Sequence, residues 1–455
     1  MADPIPLWRQ LQVTAQLLFA LRGGRSLQAT LPEVEPALRP GVQALVFHVL
    51  RWLGTAQALR DRLVRHPPAA AVDALLCSAL ALLAGEDPPY DPHTVVNQCV
   101  EAAKQDPRTR EQAAFLNACL RRYLREHEAL RRAIAGDLCA RWNHPAWWIA
   151  RLRADYPTHW QDILRADNAR APLVLRVNTR CVSRDAYLQT LADAGIEALP
   201  IGDQGVRLRE PQPVHSLPGF EEGHFAVQDA AAQRAAPLVL EGLPQDRPLR
   251  VLDACAAPGG KTAHLLELLS GSVVGHTVTA LDISEARCAR IRENLTRLRL
   301  QDGADVRCAD AADLASWWDG RPFDAVLLDA PCTASGIVRR HPDVRWLRRE
   351  SDVAQLAEQA GALLSALWPV LRPGGQLLFC VCSVFKAEGE GTVEAFVAHN
   401  KDARRRPSPG HLVPQTRAWD ELFRDNPDRD QDGFYYALLG KDEIGHGSSD
   451  QPAPA

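Results

Sequence analysis

The second half of the chain alternates between two hydrophobic periods, and this alternation constrains its fold more than any other feature of the sequence. Short apolar runs predict buried strands at Leu249–Ala254, Thr277–Leu281, Val306–Cys308, Phe323–Leu328 and Gln376–Val381. Helical spacing of apolar residues lies between them, at Lys261–Leu269, Ser284–Leu298 and Ser351–Leu371. This alternation of strands and helices is typical of a doubly wound α/β domain with parallel strands. In such domains, ligands bind beyond the carboxyl ends of the strands.

The residues before this domain form two further regions. From Leu7 to about Tyr123 the apolar residues recur at helical spacing, with breaks only at glycine or proline pairs, which predicts an all-helical domain. The next region combines an aromatic helix, a β-prone run and a second helix, which suits a small α/β module. We therefore expect four parts: a helical domain at 1–140, a small α/β module at 141–235, the larger α/β domain at 236–440 and a disordered tail at 441–455.

Composition excludes several classes of protein. The 52 basic and 56 acidic residues leave a net charge of −4, so the chain is neither a polycation nor an acidic tail, and 46% hydrophobic residues suffice for buried cores. The most apolar stretch, 69–84, contains Asp73 and is too short to span a membrane, and no secretory signal pattern is visible. Eleven cysteines without a repeated CxxC pair argue against disulfides and against a metal site. We expect a cytoplasmic protein that binds no membrane and no metal and works as a monomer.

A glycine turn joins the first strand of the α/β domain to its first helix. A phosphate-binding P-loop would need glycine at position 255, where the chain has Cys255, and a dinucleotide fingerprint would need three spaced glycines. The turn still lets backbone amides approach a ligand at a helix N-terminus. We therefore expect a cofactor loop made of Cys255, Ala256, Ala257, Pro258, Gly259, Gly260 and Lys261.

Acidic side chains stand at the ends of the next three strands, at Asp282, Asp310 and Asp329. A carboxylate about twenty residues after the glycine turn can accept the hydroxyl groups of a ribose. A nucleoside-type cofactor without a pyrophosphate therefore fits better than NAD, and S-adenosylmethionine is the common cofactor of this kind.

Two cysteines follow strands at the same predicted edge. Cys332 comes three residues after Asp329, and Cys382 comes directly after the last strand, whereas Cys380 is assigned to the core. A thiolate that adds to C6 of cytosine makes C5 nucleophilic enough to accept a methyl group, and a carboxyl group such as that of Asp329 can engage N3 of the adduct. The base must leave its stack to reach such a pocket. The residues alone leave open which thiol is the nucleophile.

Together these stretches resemble the Nol1/Nop2/Sun family of RNA cytosine-C5 methyltransferases. The resemblance spans about half the chain and is carried, in the family's order, by Val227–Asp229, Asp253–Thr262, Asp282, Asp310, Asp329–Cys332, Gly336–Trp346, Leu371–Gly375, Cys382-Ser383 and Asp432–Tyr435. It implies a Rossmann-like class I methyltransferase domain that binds S-adenosylmethionine through Cys255–Lys261, Asp282, Asp310 and Asp329. It also implies Cys382 as the nucleophile and Cys332 as the residue that assists release. One departure is Val381, where the family usually has threonine.

The N-terminal region resembles the NusB-type helical domain of the family's bacterial branch. The matching residues are Thr94–Asn97, Glu101, Lys104, Phe115–Ala118 and Arg121. This resemblance implies 16S ribosomal RNA as the substrate. Two alternatives stay open: the same reaction on tRNA or on 23S rRNA, and a non-catalytic ribosome assembly factor, which Val381 allows.

Two arginine clusters bear on RNA binding. The first, at 121–132, is read equally well as a solvated helix face or as an RNA-facing patch. The second follows Cys332, and we predict that its side chains contact RNA phosphates, with a solvated surface helix as the alternative: Arg339, Arg340, Arg345, Arg348 and Arg349.

Overall fold

The computed structural model describes residues 5–85, 88–270, 273–414 and 430–442. All but the first two residues of the predicted disordered tail lie outside these ranges. The chain separates into two compact units: Met1–Arg170 with Val338–Glu350, and Ala171–Ile337 with Ser351–Ala455. Within the described ranges, no helix combines the length and apolar character needed to cross a membrane.

The first unit is all-helical, as the sequence predicts for 1–140, and it also contains 141–170, which the sequence assigned to the small α/β module. Its core surrounds the helix Ala70–Ala84, which is buried on nearly every side because alanine and leucine occupy most of its positions. Asp91 and Asp137 begin two of the other helices by accepting hydrogen bonds from backbone amides of their first turns. Its helices are α1 (Leu7–Arg22), α2 (Leu27–Thr30), α3 (Arg39–Arg51), α4 (Leu53–Leu63), α5 (Ala70–Ala84), α6 (Pro92–Gln105), α7 (Ala113–Ile134), α8 (Leu138–Trp142), α9 (Ala146–Asp155) and α10 (Trp160–Asn168).

The segment 338–350 belongs to this first unit although it lies far along the chain. Arg345 is fully buried, and its guanidinium donates to the backbone carbonyls of Asn143 (3.0 Å) and Asp167 (2.8 Å) and to the side chain of Asn168. The indole N–H of Trp346 donates to the carbonyl of Leu50 at 2.8 Å. These contacts hold the segment in the interior of the helical unit.

The prediction that this segment's arginines form an RNA-binding patch is therefore wrong for two of them. Arg339 and Arg345 are both fully buried, and burial lowers the pKa of Arg345 to about 9. A guanidinium that donates to buried carbonyls cannot also reach a phosphate. The arginine spacing resembled a surface patch because the sequence does not reveal that 338–350 inserts into another unit.

The second unit begins with a small four-stranded antiparallel sheet in the order β2-β3-β1-β4, which is covered by one helix. Its strands bury one face against the aromatic rings of Tyr187 and Phe225. The elements are β1 (Val174–Val177), α11 (Arg184–Asp193), β2 (Ala198–Ile201), β3 (Gly205–Leu208) and β4 (Phe225–Val227).

A seven-stranded sheet forms the rest of this unit, in the order β10-β11-β9-β8-β5-β6-β7. Its first five strands in sequence are parallel, as predicted. The strands are β5 (Arg250–Ala254), β6 (Thr277–Asp282), β7 (Ala304–Cys308), β8 (Phe323–Asp329), β9 (Leu371–Val381), β10 (Ala403–Leu412) and β11 (Phe434–Lys441). The helices are α12 (Ala230–Gln233), α13 (Ala235–Leu240), α14 (Gly260–Leu269), α15 (Glu285–Arg297), α16 (Leu314–Trp317), α18 (Glu350–Leu367) and α19 (Thr392–His399), with α17 (Val344–Leu347) in the first unit.

The doubly wound prediction is confirmed, and two further strands that the sequence did not predict extend the sheet. β11 runs antiparallel to both β9 and β10, and β10 forms one edge of the sheet. β10 escaped prediction because its sequence, ARRRPSPGHL, is mostly polar and contains two prolines, and its side chains are largely exposed. The strand β5 lies between β6 and β8. From β5 the chain adds β6 and β7 on one side and then β8 and β9 on the other, so the direction in which strands are added reverses at β5 and β8. A ligand crevice is expected at the carboxyl ends of these two strands.

A buried ion pair joins the small sheet to the larger domain. Arg176 on β1 and Glu267 on α14 are both fully buried, with 2.7 Å between Arg176 Nη2 and Glu267 Oε1. Arg176 also donates to the carbonyl of Gly260 at 2.8 Å, at the first residue of α14. The small sheet therefore holds the helix that follows the cofactor loop.

Candidate active site

The predicted cofactor loop forms a tight turn between β5 and α14. Cys255 and Gly259 have positive φ angles of 63° and 94°. A Cβ at Gly259 would also lie 3.1 Å from Ile291, so glycine is required at that position by conformation and by space. The amide of Ala256 donates to the carbonyl of Leu281 at 2.7 Å, which fixes the loop to the neighbouring strand.

Two carboxylates at this edge have contrasting environments. Asp253 is fully buried, and burial raises its pKa to about 7. Its Oδ2 accepts from the Thr262 hydroxyl at 2.6 Å, while its Oδ1 has no hydrogen-bond partner among the described residues. Asp282 is also buried; it accepts from the amides of Ala257 (3.3 Å) and Ser284 (3.2 Å). The sequence motif included Asp253, but its unpaired oxygen was visible only in the structure.

Asp310 differs from these two. It lies two residues beyond β7, is exposed, and accepts from the amide of Ala312 at 2.9 Å. Its place past the third strand agrees with the predicted edge, whereas the assigned cofactor contact stays a prediction.

Lys261 and Asp329 form an ion pair in the centre of the edge. Lys261 Nζ lies 2.7 Å from Asp329 Oδ2, and the Cys380 thiol donates to Asp329 Oδ1 at 3.5 Å. Burial by itself lowers the pKa of Lys261, but the charge of Asp329 and its hydrogen bond with the lysine work against burial, and the pKa is raised above its ordinary value. The lysine therefore stays an ammonium group, and a thiolate at Cys382 would attract it. Cys380 is buried, in agreement with its assignment to the core.

The two predicted thiols meet at the ends of β8 and β9. Their Sγ atoms lie 3.5 Å apart. Cys332 is buried, and its pKa is raised well above the ordinary value, first by its hydrogen bond with Cys382 and next by burial. Cys382 is partly exposed. Cys332 is thus the sulfur that keeps its proton, and Cys382 is the sulfur that a substrate can reach.

A buried glutamate connects the two cysteine turns, and the sequence analysis missed it. Glu388 Oε1 accepts from the amide of Thr333 at 2.6 Å, and Oε2 accepts from the hydroxyls of Thr333 (2.6 Å) and Ser383. Thr333 follows Cys332, and Ser383 follows Cys382. A charged residue seven positions past the end of β9 gave no signal in the sequence, because nothing there indicates that it turns back into the protein.

The backbone also approaches itself closely beside the thiols. The amide of Gly336 donates to the carbonyl of Cys382 at 2.9 Å, and the amide of Gly433 donates to the carbonyl of Gly336 at 2.8 Å. A Cβ on Gly336 would lie 2.0 Å from the carbonyl oxygen of Gly433. Glycine at 336 is therefore required to bring the start of β11 against the Cys382 turn.

A group of potential metal ligands lies near the cofactor loop. Glu285, Cys288 and Cys308 have ligand atoms within 4.8 Å of one another. The carboxylate of Glu285 is already paired with Arg292 at 2.6 Å. That no metal takes part stays a prediction.

Three sequence models of known families match the chain. The model described as 16S rRNA methyltransferase RsmB/F matches residues 238–440, a ferredoxin-like domain of RsmF/B-like methyltransferases matches residues 144–215, and the NusB family matches residues 9–125.

Relatives of similar length are alike along nearly the whole chain. The Ribosomal RNA small subunit methyltransferase B of Pseudomonas syringae pv. tomato is 41% identical over 95% of this chain and 96% of its own. The protein of the same name from Vibrio vulnificus is 39% identical over 92% and 96%.

Solved structures share the fold. The crystal structure of PH0851 has a TM-score of 0.73 at 23% identity and covers 96% of this chain and 99% of its own. NSun6 from Pyrococcus horikoshii, crystallised with SFG, an analogue of S-adenosylmethionine, has a TM-score of 0.54 at 20% identity and covers 65% of this chain and 98% of its own.

Proposed function

The chain belongs to the family of the ribosomal RNA small subunit methyltransferase B proteins, and from this premise we propose that it methylates C5 of a cytosine in 16S ribosomal RNA. The observation that carries the proposal is the pair of thiols 3.5 Å apart beside an ion-paired lysine and aspartate. S-adenosylmethionine supplies an electrophilic methyl group when it is bound. The chain's own residues must then make C5 of the cytosine nucleophilic.

The residues around the glycine turn fit this cofactor. Cys255 and Gly259 form the turn with positive φ angles just before α14, so its backbone amides can approach a ligand at the start of that helix. Asp282 lies at the end of the next strand, where ribose hydroxyls are bound in related sheets. We assign the cofactor to Cys255–Lys261, Asp282, Asp310 and Asp329.

Cys382 is the proposed nucleophile. It is the more accessible of the two thiols, and the Lys261 ammonium attracts the negative charge of its thiolate. Addition of this sulfur to C6 makes C5 enamine-like and able to accept a methyl group. The lysine therefore has two tasks, since it also holds Asp329.

Asp329 is the proposed contact for N3. Its Oδ2 is held by Lys261, and its Oδ1 accepts only the weak hydrogen bond from Cys380 at 3.5 Å. A carboxylate oxygen has lone pairs for a further donor. Asp329 can thus accept a hydrogen bond from N3 when that atom is protonated in the adduct.

Cys332 is proposed to assist release. Because its pKa is raised well above the ordinary value, it keeps its proton and donates a hydrogen bond to the Cys382 sulfur. This hydrogen bond stabilises Cys382 as a departing thiolate and does nothing for Cys382 as a thioether. Cys332 therefore favours breakdown of the adduct once C5 has lost its proton.

The cellular location, the oligomeric state and the RNA-binding domain are also part of the proposal. None of the eleven cysteines forms a disulfide, and the reaction needs thiols, which supports the reducing cytoplasm as the site of action. One complete set of reacting groups lies within one chain, which supports a monomer. We propose the helical first unit as an RNA-binding domain, with the exposed arginines of α7 as its candidate surface.

The direct test is methyl transfer from a methyl-labelled donor to a 16S rRNA transcript, with Cys382→Ala as the inactive control. We expect label at C5 of cytosine in 16S rRNA and none in tRNA or 23S rRNA transcripts. Label on tRNA alone would reassign the substrate. No label on any RNA, with well-folded protein, would favour the assembly-factor alternative.

Bisulfite sequencing of RNA from a strain that lacks this protein tests the substrate in the cell. We expect one cytosine of 16S rRNA, which resists bisulfite deamination in the parent strain, to become sensitive to it in the deletion strain. An unprotected tRNA site with normal 16S rRNA would contradict the assignment.

A further inference from the structure

Arg176 on β1 is a buried arginine whose contacts reach from the small sheet to the start of α14. Its side chain is fully buried. Its Nε and Nη2 donate to the two carboxylate oxygens of Glu267, at 3.1 Å and 2.7 Å. Its Nη1 donates to the side-chain oxygen of Gln228 and, at 2.8 Å, to the backbone carbonyl of Gly260. Every nitrogen of the guanidinium thus donates a hydrogen bond, and the reaction proposed above gives this residue no role.

The paired contact with Glu267 fixes the plane of the guanidinium. Two parallel N–H···O bonds between a guanidinium and a carboxylate hold both groups in one orientation. Glu267 lies on α14 seven residues after Gly260, which is close to two helical turns, so both residues are on the same side of the helix. Arg176 therefore holds α14 at two places on one face, and one of them is the first residue of the helix.

The carbonyl that Arg176 holds belongs to the same peptide group as the Lys261 amide. This peptide is trans, since the cis bond of the loop is Ala257-Pro258. A trans peptide is planar, and its C=O and N–H bonds point in opposite directions. A hydrogen bond that fixes the direction of the Gly260 carbonyl therefore also fixes the direction of the Lys261 N–H.

The amides at the start of α14 are available to a ligand. Ala263 donates the first hydrogen bond of the helix, to the carbonyl of Gly259 at 2.9 Å. The amides of Gly260, Lys261 and Thr262 precede it and have no acceptor within the helix. Among the described residues, no side chain caps this end of the helix. These amides follow the carboxyl end of β5, where a ligand crevice is expected, and the start of a helix attracts electronegative groups.

We propose that Arg176 is a positioning residue for the cofactor: by holding the Gly260 carbonyl, it keeps the Lys261 amide directed at bound S-adenosylmethionine. The cofactor's carboxylate and purine nitrogens are acceptors for such an amide. The proposal rests on the cofactor loop assigned above, and it adds that a residue of the small sheet sets the affinity for the cofactor. Lysine cannot replace this arginine, because an ammonium group lacks the planar fork that pairs with Glu267 and still reaches Gly260.

The binding test uses the full chain and S-adenosylhomocysteine as the probe, followed by calorimetry. We expect Arg176→Lys to weaken binding roughly tenfold, the loss of about one well-placed hydrogen bond. Arg297→Lys is the matched control. Arg297 ends α15 and also donates to backbone carbonyls, those of Phe220 (3.0 Å) and Phe225 (3.1 Å), so it connects the same two parts at a helix end remote from the loop. This control should bind as the unmodified protein does.

A second variant keeps the test valid if Arg176→Lys folds poorly. Glu267→Gln replaces one of the oxygens that orient the guanidinium with an NH₂ group, so we expect a smaller loss of affinity, about threefold. Thermal unfolding gives the folded fraction of each variant, and affinity is compared for folded protein. Lower thermal stability with unchanged affinity in both variants would overturn the proposal. No binding by the unmodified protein would overturn the cofactor loop together with it, so the two failures are distinguishable.

Kinetics separate positioning from stability. If Arg176 positions the Lys261 amide, Arg176→Lys raises KM for S-adenosylmethionine roughly tenfold and leaves KM for the RNA transcript unchanged. Loss of folded protein would instead lower kcat and leave both KM values unchanged, which would overturn the proposal. Because binding of S-adenosylhomocysteine needs no RNA, a wrong assignment of the RNA substrate would not hide the result.

Discussion

The turns after β8 and β9 carry the same reactive group in opposite surroundings. In the first turn Cys332 is buried, and its pKa is raised by the neighbouring sulfur and by burial. In the second turn Cys382 is partly exposed, and its thiolate would attract the Lys261 ammonium. Neighbouring parallel strands therefore bring together one buried thiol whose pKa is raised and one partly exposed thiol, which is the proposed nucleophile. Environment, more than residue type, therefore divides the two proposed roles.

The largest effect should come from removing the exposed thiol. Cys382→Ala eliminates the proposed nucleophile, so we expect methyl transfer to fall by about 10⁴-fold or more and no covalent protein–RNA complex to form. Denaturing gels and labelled-methyl assays measure both. If Cys382→Ala still formed the covalent complex, the roles of the two turns would be exchanged.

Removal of the buried thiol should give a different phenotype. Cys332→Ala deprives the departing Cys382 thiolate of its hydrogen-bond donor, so turnover should fall while a covalent complex with RNA accumulates. Gel mobility before and after protease treatment shows the complex. Cys332→Ser, which keeps a donor, is the matched control and should accumulate less complex; equal amounts from both variants would contradict the donor role.

The connection between the two turns can be weakened without touching either sulfur. Glu388→Gln replaces one of the oxygens that accept from Thr333 and Ser383 with an NH₂ group, so the turns should separate slightly. We expect kcat to fall roughly tenfold to a hundredfold, as displacement of reacting groups does, with little change in KM. Glu388→Asp, which keeps the charge, should recover part of kcat; a variant that changed only thermal stability would indicate a purely structural role.

The smallest effect should come from restoring the family's usual residue before Cys382. Val381 is fully buried among apolar side chains. In the variant Val381→Thr, the threonine hydroxyl would therefore have apolar neighbours. We expect methyl transfer to change by less than about threefold and stability to fall by roughly 1–3 kcal/mol. A rise in rate of tenfold or more would show that Val381 weakens this chain's activity.

Most of the larger α/β domain could be predicted because its strands are apolar runs with helices between them. The carboxyl edge followed from the same alternation, and it brings Lys261, Asp329, Cys332 and Cys382 together. β10 could not be predicted, because an exposed edge strand with prolines has no hydrophobic pattern. The roles of individual site residues stay predictions.

Contacts that depend on distant parts of the chain were beyond sequence reasoning. Glu388 connects two turns, and Arg345 fills the interior of a unit that begins three hundred residues earlier. Both are charged residues, for which a solvated surface position is the ordinary expectation. Burial of a charge becomes visible only when its partners are brought together by the fold.

The insertion of 338–350 has a consequence for how the protein is made. Arg345 is synthesised about 175 residues after Asp167, whose backbone carbonyl it binds and whose buried carboxyl group it helps to stabilise. At roughly 5–20 residues per second, this interval lasts on the order of 10–35 s. During that time the helices already translated lack the 338–350 segment that completes their interior. The first unit therefore reaches its final packing only after most of the α/β domain has been translated.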